Sequence, residues 1–285
     1  MKNYKIQSSS SESLDVNYYE HQNPKGLVQI LHGMQEHKER YENFARFLLE
    51  NSYSVVIHDH LGHGKSVSAK HPLGDMISFD NIIDDVHLVR QSVDFDGEYI
   101  SFGHSMGSFI ARIYTSLYPT DKLVASGTGQ SPSFLASMVQ GLLRFYKSGV
   151  PLPSIQKILM GRMSSGFENP DDWLSLNKEN QIKYRADELC GKPFTKEGYI
   201  TLLDIVKALN KTSTYKNCSA KKILLVSGEK DLVGNFGKGV KVAEKKYKSF
   251  GKNVKTILYK NMSHEILNED DKFLVYNDIL KFLQA

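Results

Sequence analysis

The chain carries Gly103-His104-Ser105-Met106-Gly107, a serine between two glycines. It follows the apolar run Tyr99-Ile100-Ser101-Phe102 and precedes a helical run over 109–118. A strand that turns sharply into a helix is the setting in which a serine hydroxyl works as a nucleophile. The turn forces the serine into a strained backbone conformation, and glycine-sized neighbours let strand and helix approach. The hydroxyl then projects alone, while the first amides of the helix face any negative charge that develops beside it. The bland alternative is an ordinary glycine-rich turn, and the flanking strand and helix argue against it.

A serine hydroxyl is a weak nucleophile without a base, and the base must be oriented by a third group. When the nucleophile sits on a strand–helix turn of this kind, acid and then histidine follow it along the chain. His264 is the only histidine downstream of Ser105, and it comes shortly after the last apolar run. Asp231 follows the run 223–227 through the turn Gly228-Glu229-Lys230 and is the candidate acid, with Glu229 its local rival. The negative charge on an attacked carbonyl needs two backbone N–H groups. Met106, next after the serine, supplies one; the loop His32-Gly33-Met34, after the first buried run, places the other at Met34. His58, His60 and His63 lie close together but lack the carboxylate–histidine spacing of zinc enzymes. They are expected to be loop scaffolding, with no metal and no cofactor in the chemistry.

These groups need a frame that brings them to one edge. Segments 4–8 and 14–19 alternate and read as a hairpin; 26–31, 53–57, 122–127, 222–228 and 254–259 read as further strands. Helical stripes fall at 38–50 and 81–93, and a closing helix at 271–283. Strand–helix alternation predicts an α/β fold with a mostly parallel sheet flanked by helices, its chemistry at the carboxyl ends of the strands. The alternation stops near residue 130. Short helices broken by Pro132, Pro151, Pro153, Pro170 and Pro193 follow, so the expected division is a core of 1–129 and 218–285 with a helical cap at 130–217.

Composition narrows the classes. Over 285 residues, 40% hydrophobic and 24% charged residues describe an ordinary globular protein. A net charge of +4 with no basic run interleaved by aromatics argues against nucleic acid as a partner. The lysines between Lys238 and Lys248 spread around a helix as a solvated face. Two cysteines, Cys190 and Cys218, make no disulfide framework and suit free thiols. The polar, serine-rich start has no secretory pattern and no run approaches bilayer length, so the expectation is a cytoplasmic protein.

With these residues located, the chain resembles the monoacylglycerol lipase and lysophospholipase group of the α/β-hydrolase superfamily, classed with serine aminopeptidase-like hydrolases. The resemblance rests on His32-Gly33-Met34-Gln35-Glu36-His37 with Arg40-Tyr41, on Asp59-His60-Leu61-Gly62-His63-Gly64-Lys65-Ser66, on the Ser105 pentapeptide, and on Ser263-His264-Glu265 with Asn268-Glu269. It implies the α/β-hydrolase fold, the set Ser105, Asp231, His264, Met34 and Met106, and a small acyl ester or lipid as substrate. It also implies a cap whose helices line an acyl channel and can touch a membrane surface. Leu142, Phe145, Ile158 and Leu159 are the candidate substrate contacts; the alternative is that they pack cap against core. Two rivals stand beside ester hydrolysis. An aminopeptidase would need a cap carboxylate, for which Glu168, Asp171, Asp172, Asp187 and Glu188 are available, and a non-catalytic receptor would have no use for all three triad residues. Dehalogenation is excluded, because it needs a carboxylate where Ser105 stands.

Overall fold

The computed structural model describes residues 1–130 and 133–285. Eight strands form one sheet: β1 (Lys2–Gln7), β2 (Ser13–Tyr19), β3 (Leu27–Leu31), β4 (Ser54–His58), β5 (Tyr99–His104), β6 (Lys122–Ser126), β7 (Lys222–Gly228) and β8 (Val254–Tyr259). Their spatial order is β1-β2-β4-β3-β5-β6-β7-β8, antiparallel through β1, β2 and β4 and parallel from there on. The order reverses between β3 and β5, which places the crevice for chemistry at their carboxyl ends.

The inner parallel strands are buried on both sides because both faces of the sheet are covered, whereas the edge strand β8 is only partly so. Along β7, Ile223 and Leu225 join one apolar cluster and Leu224 and Val226 the other. The second cluster is closed by α1 (Glu42–Glu50) and α10 (Lys272–Gln284) through Phe44, Leu48, Tyr276 and Ile279. The first is closed by α2 (Phe79–Gln91), α3 (Met106–Tyr114) and α9 (Lys238–Ser249) through Val86, Val89, Ile110, Val240 and Tyr247. One polar side chain crosses this layer: buried Gln29 gives its amide to the Val86 carbonyl (2.9 Å) and accepts from the Tyr99 hydroxyl (2.5 Å).

Between β6 and β7 lie α4 (Ser133–Leu143), α5 (Pro153–Ser164), α6 (Lys178–Ala186), α7 (Lys196–Leu209) and α8 (Thr212–Lys216). Phe194, Tyr199, Ile205 and Leu209 merge with the main apolar cluster, so this segment is welded to the sheet layer along α7. Three sequence expectations shift. The helix after Ser105 starts at Met106 and ends at Tyr114, earlier than 109–118, because the turn feeds it directly. The 38–50 helix opens as a 3-10 turn over Lys38–Tyr41. Pro153 begins α5, where its missing N–H costs nothing, and Pro132 lies outside the described residues.

The second glycine-rich loop is a buried knot. Asp59 accepts from the Lys38 amide, the Lys38 ammonium and the Lys65 amide at 2.8–2.9 Å. Lys38 also reaches Asp15 at 2.6 Å. A Cβ at Gly64 (φ +50°) would meet that carboxylate at 2.3 Å, so glycine is required there. Beside it His32, His58, His60 and His63 pack with centroid separations from 4.3 Å (His32–His60) to 6.4 Å (His60–His63). All four are buried, and burial pushes each below the ordinary imidazole range, His63 to about 4.

These histidines predict acid lability. Below about pH 6.5 the unfolded rings bind protons that the folded ones refuse, so stability falls with pH through this range. For His63 alone, moved from 6.5 to about 4, the loss is about 3 kcal/mol by pH 4. Urea midpoints at pH 7.5 and pH 5 should differ clearly, and a His63→Phe variant should narrow the gap.

Candidate active site

The elbow is built by close backbone approach. Ser105 holds φ 52°, ψ −122°, a region that L-residues avoid. A Cβ at Gly103 would lie 2.1 Å from the Gly107 carbonyl oxygen, and one at Gly107 would lie 2.0 Å from that of Leu31. Both glycines are therefore dictated by packing of β5 and β3 against α3. Ser105 is half-buried between buried neighbours, so its hydroxyl remains reachable.

The loop after β3 comes to the same point. A Cβ on Gly33 would sit 3.1 Å from Ser105 Cβ. The Gly33 amide is taken by Glu36 Oε1 at 2.5 Å, and the Tyr41 hydroxyl donates to the same oxygen at 2.6 Å. The Met34 and Met106 amides donate to no partner among the described residues. Two unengaged N–H groups thus lie on the loop after β3 and at the start of α3, the two elements that meet at Ser105. Gln35 carries a positive φ of 58°, and its carbonyl accepts from the Gly191 amide (2.9 Å) and the Tyr184 hydroxyl (3.1 Å).

Asp231 and His264 meet in a buried pair, His264 Nδ1 to Asp231 Oδ1 at 3.0 Å, whereas Glu229 is exposed. Asp231 also accepts from Ser227 Oγ (2.7 Å) and from the amides of Val233 (2.8 Å) and Gly234 (3.3 Å). Burial pushes this carboxyl upward, but the His264 charge and these hydrogen bonds hold it below its ordinary 3.8. For His264, burial pulls the imidazole down; the charge and hydrogen bond of Asp231 outweigh it and hold the ring above 6.5. His264 lies beside the elbow, its ring 4.7 Å from that of His104, and a Cβ at Gly127 would meet His264 Cε1 at 3.0 Å.

Several further residues hold this arrangement, and sequence reasoning gave them no role. Glu269 accepts from the Ser263 amide (2.8 Å), the Ser175 hydroxyl (3.1 Å) and the amides of Leu176 and Asn177 (3.0 Å each). The Ser263 hydroxyl donates to the Trp173 carbonyl at 2.5 Å, and the Trp173 ring lies 5.3 Å from that of His264. Arg40 bridges Glu36 (3.1 Å) and Glu265 (2.5 Å), and Asn180 joins Glu265 at 2.6 Å. The signal was a set of carboxylates close to the histidine and the oxyanion loop, where water-facing turns would otherwise be expected.

The candidate substrate contacts are placed differently. Leu142, Phe145 and Ile158 are 64%, 89% and 72% exposed, so they line no closed channel here, and the side chain of Leu159 lies outside the described residues. His58, His60 and His63 are buried, His58 at the end of β4 and the other two in the loop after it. No helix of the described residues is long and apolar enough to cross a membrane.

A profile of the family described as Serine aminopeptidase, S33, matches residues 22–271. The chain belongs to that family. Within this family it is 26% identical over 270 residues to a monoacylglycerol lipase of Mycolicibacterium smegmatis, covering 91% of this chain and 88% of that protein. A human monoglyceride lipase is 38% identical over 99 residues, 34% of this chain and 32% of the relative. A monkeypox virus monoglyceride lipase homolog is 28% identical over 199 residues, 66% of this chain and 64% of the relative. The matches thus span about a third and just under two thirds of those last two proteins. A thermostable carboxyl esterase from Bacillus coagulans, solved in complex with glycerol, has TM-score 0.91 at 27% identity, covering 99% of this chain and 97% of that one. A lipase in an open form has TM-score 0.89 at 26% identity, covering 99% and 98%. The chain therefore has the α/β-hydrolase fold.

The His264 environment predicts a reversal. In Asp231→Asn the largest opposing charge is gone and burial is resisted only by the weaker pull of Glu265 and Glu36, so the imidazole should titrate lower by roughly one to three pH units. Ring 15N shifts followed against pH read this directly, and an unchanged titration would contradict the assigned cause.

Proposed function

We propose that the protein is a serine carboxylester hydrolase acting on single-chain acyl esters, whether monoacylglycerol, lysophospholipid or simpler esters. The observation that carries this reading is the strained Ser105, with the unengaged amides of Met34 and Met106 on its neighbouring loop and helix, beside a buried Asp231–His264 pair. With Nδ1 committed to Asp231, Nε2 is the His264 nitrogen left to take the Ser105 proton as the hydroxyl attacks the acyl carbon. The tetrahedral oxyanion is met by the N–H groups of Met34 and Met106. His264 then returns the proton to the leaving alcohol, and water releases the acyl group from Ser105 by the same route. Asp231 fixes the tautomer and stabilises the imidazolium. No step requires a metal or cofactor.

In this reading residues 130–217 act as the cap. Phe134, Met138 and Leu142 recur every four residues along α4 and are 62–65% exposed, with Phe145 beyond them and Ile158 on α5. That apolar row suits an acyl chain or a lipid surface, which supports Leu142, Phe145 and Ile158 as substrate contacts and transient membrane contact through the cap. Buried free thiols at Cys190 and Cys218 fit a reducing, cytoplasmic setting. The aminopeptidase reading is less well supported, because the buried cap carboxylate Asp172 pairs with Arg185 and Asp187 pairs with His37.

Ser105→Ala should lower kcat on p-nitrophenyl butyrate by about 10⁴-fold or more and abolish fluorophosphonate labelling, with the fold intact. Retained hydrolysis would sink the proposal, and faster turnover of aminoacyl amides than of acyl esters would favour the peptidase. Because the base must be neutral and His264 is held above 6.5, kcat/KM should rise with pH through an apparent pKa above that value.

A further inference from the structure

Arg112 lies on α3, about two turns beyond Ser105, and its side chain is fully buried. A buried guanidinium ordinarily faces a carboxylate, since an unpaired charge taken from water is costly. None pairs with Arg112 among the described residues; four neutral acceptors do. Nη1 donates to Thr128 Oγ1 (3.1 Å) and the Gly129 carbonyl (2.9 Å). Nη2 donates to Gln130 Oε1 (3.2 Å) and the Tyr215 hydroxyl (3.0 Å). The rings of Tyr215 and Tyr247 each lie 5.6 Å from the guanidinium carbon.

These acceptors come from two places only. Thr128–Gln130 is the chain leaving β6 toward α4, and Tyr215 is on α8, the last helix before β7. The two are also tied to each other: the Tyr215 hydroxyl donates to Gln130 Oε1 (2.6 Å), and Gln130 Nε2 donates to Asn210 Oδ1 (2.7 Å). The outgoing root in turn lies against the loop that carries the acid. A Cβ on Gly129 would meet the Val233 carbonyl oxygen at 2.3 Å, and the Val233 and Gly234 amides hold Asp231. One planar fork therefore touches both roots of the inserted segment from the helix that begins at the nucleophile. A lysine ammonium has no such fixed fan of donors.

We propose that Arg112 is a positioning residue that pins both roots of the 130–217 segment to α3 and so sets where its acyl-contacting helices sit relative to Ser105. This rests on the ester-hydrolase reading of the Ser105 site and adds to it the group that registers the cap on the core. The charge without a counter-ion is retained because only a guanidinium serves four acceptors on two separated strands of chain. A short acyl group reports on the triad alone, whereas a long one also reports on where the cap lies.

The test compares wild type, Arg112→Met and Arg112→Lys on p-nitrophenyl acetate and p-nitrophenyl laurate, with thermal unfolding and hydrogen–deuterium exchange on the same samples. In Arg112→Met, kcat/KM on the laurate should fall about tenfold or more, mostly through KM, while kcat on the acetate stays within about threefold. Exchange at 128–130 and 206–216 should rise together with β5 unchanged, and Arg112→Lys should fall between. An unchanged laurate-to-acetate ratio, equal losses on both esters, or exchange that rises at one root alone would each overturn the proposal. Wild-type protein inert to both esters would defeat the ester reading instead, and the paired exchange would still decide the role of Arg112.

Discussion

Ser105 occupies a backbone conformation that costs on the order of 1–3 kcal/mol, and it persists only because its surroundings permit no relaxation. β5 delivers the chain to the turn and α3 removes it, with the Gly103 and Gly107 backbones packed so closely that neither position has room for a Cβ. Gly107 also abuts the Leu31 carbonyl at the end of β3, and this same contact brings the next loop over the serine. Strain at the nucleophile and placement of the Met34 amide are thus one packing event. The sheet order matters for this reason: β3 and β5 are neighbours, and the reversal between them leaves their carboxyl ends open to a ligand.

The inserted segment has two characters. Its part from Trp173 to Gly191 belongs mechanically to the site, since it satisfies the Glu269 carboxylate beneath the histidine loop and holds the strained Gln35 carbonyl of the oxyanion loop. Removing those partners would leave buried polar groups unsatisfied, which typically costs 1–3 kcal/mol each. Its earlier part, α4 and α5, presents Met138, Leu142, Phe145 and Ile158 to solvent.

Much of this was legible in the residues. The alternating first hairpin, the continuous apolar runs after it and the turns that end them locate the strands, and the candidates Ser105, Asp231 and His264 were named from their order along the chain. Glu229 and Asp231 are chemically equivalent in sequence; what separates them is the Ser227 hydroxyl and two amides that converge on one and leave the other in water. Helix limits at α3 were misjudged because the helix starts with Met106 at the turn itself, before the apolar stripe becomes visible. Glu269 was legible only as a member of the histidine-segment motif, without a role, and Arg112 was not legible at all. Arg112 reaches Tyr215, 103 residues on, and Glu269 reaches back 94 residues to Ser175; Arg112 also sits in an amphipathic helix, where a charged residue reads as solvated until its burial is known.

The electrostatics of the site point in one direction. Three donors hold Asp231 ionised even in a buried position, so in the proposed mechanism the proton gained during attack stays on His264 for the leaving group. His104, packed on His264, is kept neutral by burial first and by the His264 charge second, and so does not oppose the imidazolium with a charge of its own. Glu36 and Glu265 also act to raise His264, and the single Arg40 guanidinium bridges both carboxylates. A buried cation that appears only part-way through a reaction is thereby met by negative charge already in place. That requires carboxylates to be buried beforehand, and their hydrogen bonds to Gly33, Tyr41 and Asn180 are what allow it. The same bonds that orient the oxyanion loop therefore also tune the base, which is why neither could be altered independently of the other.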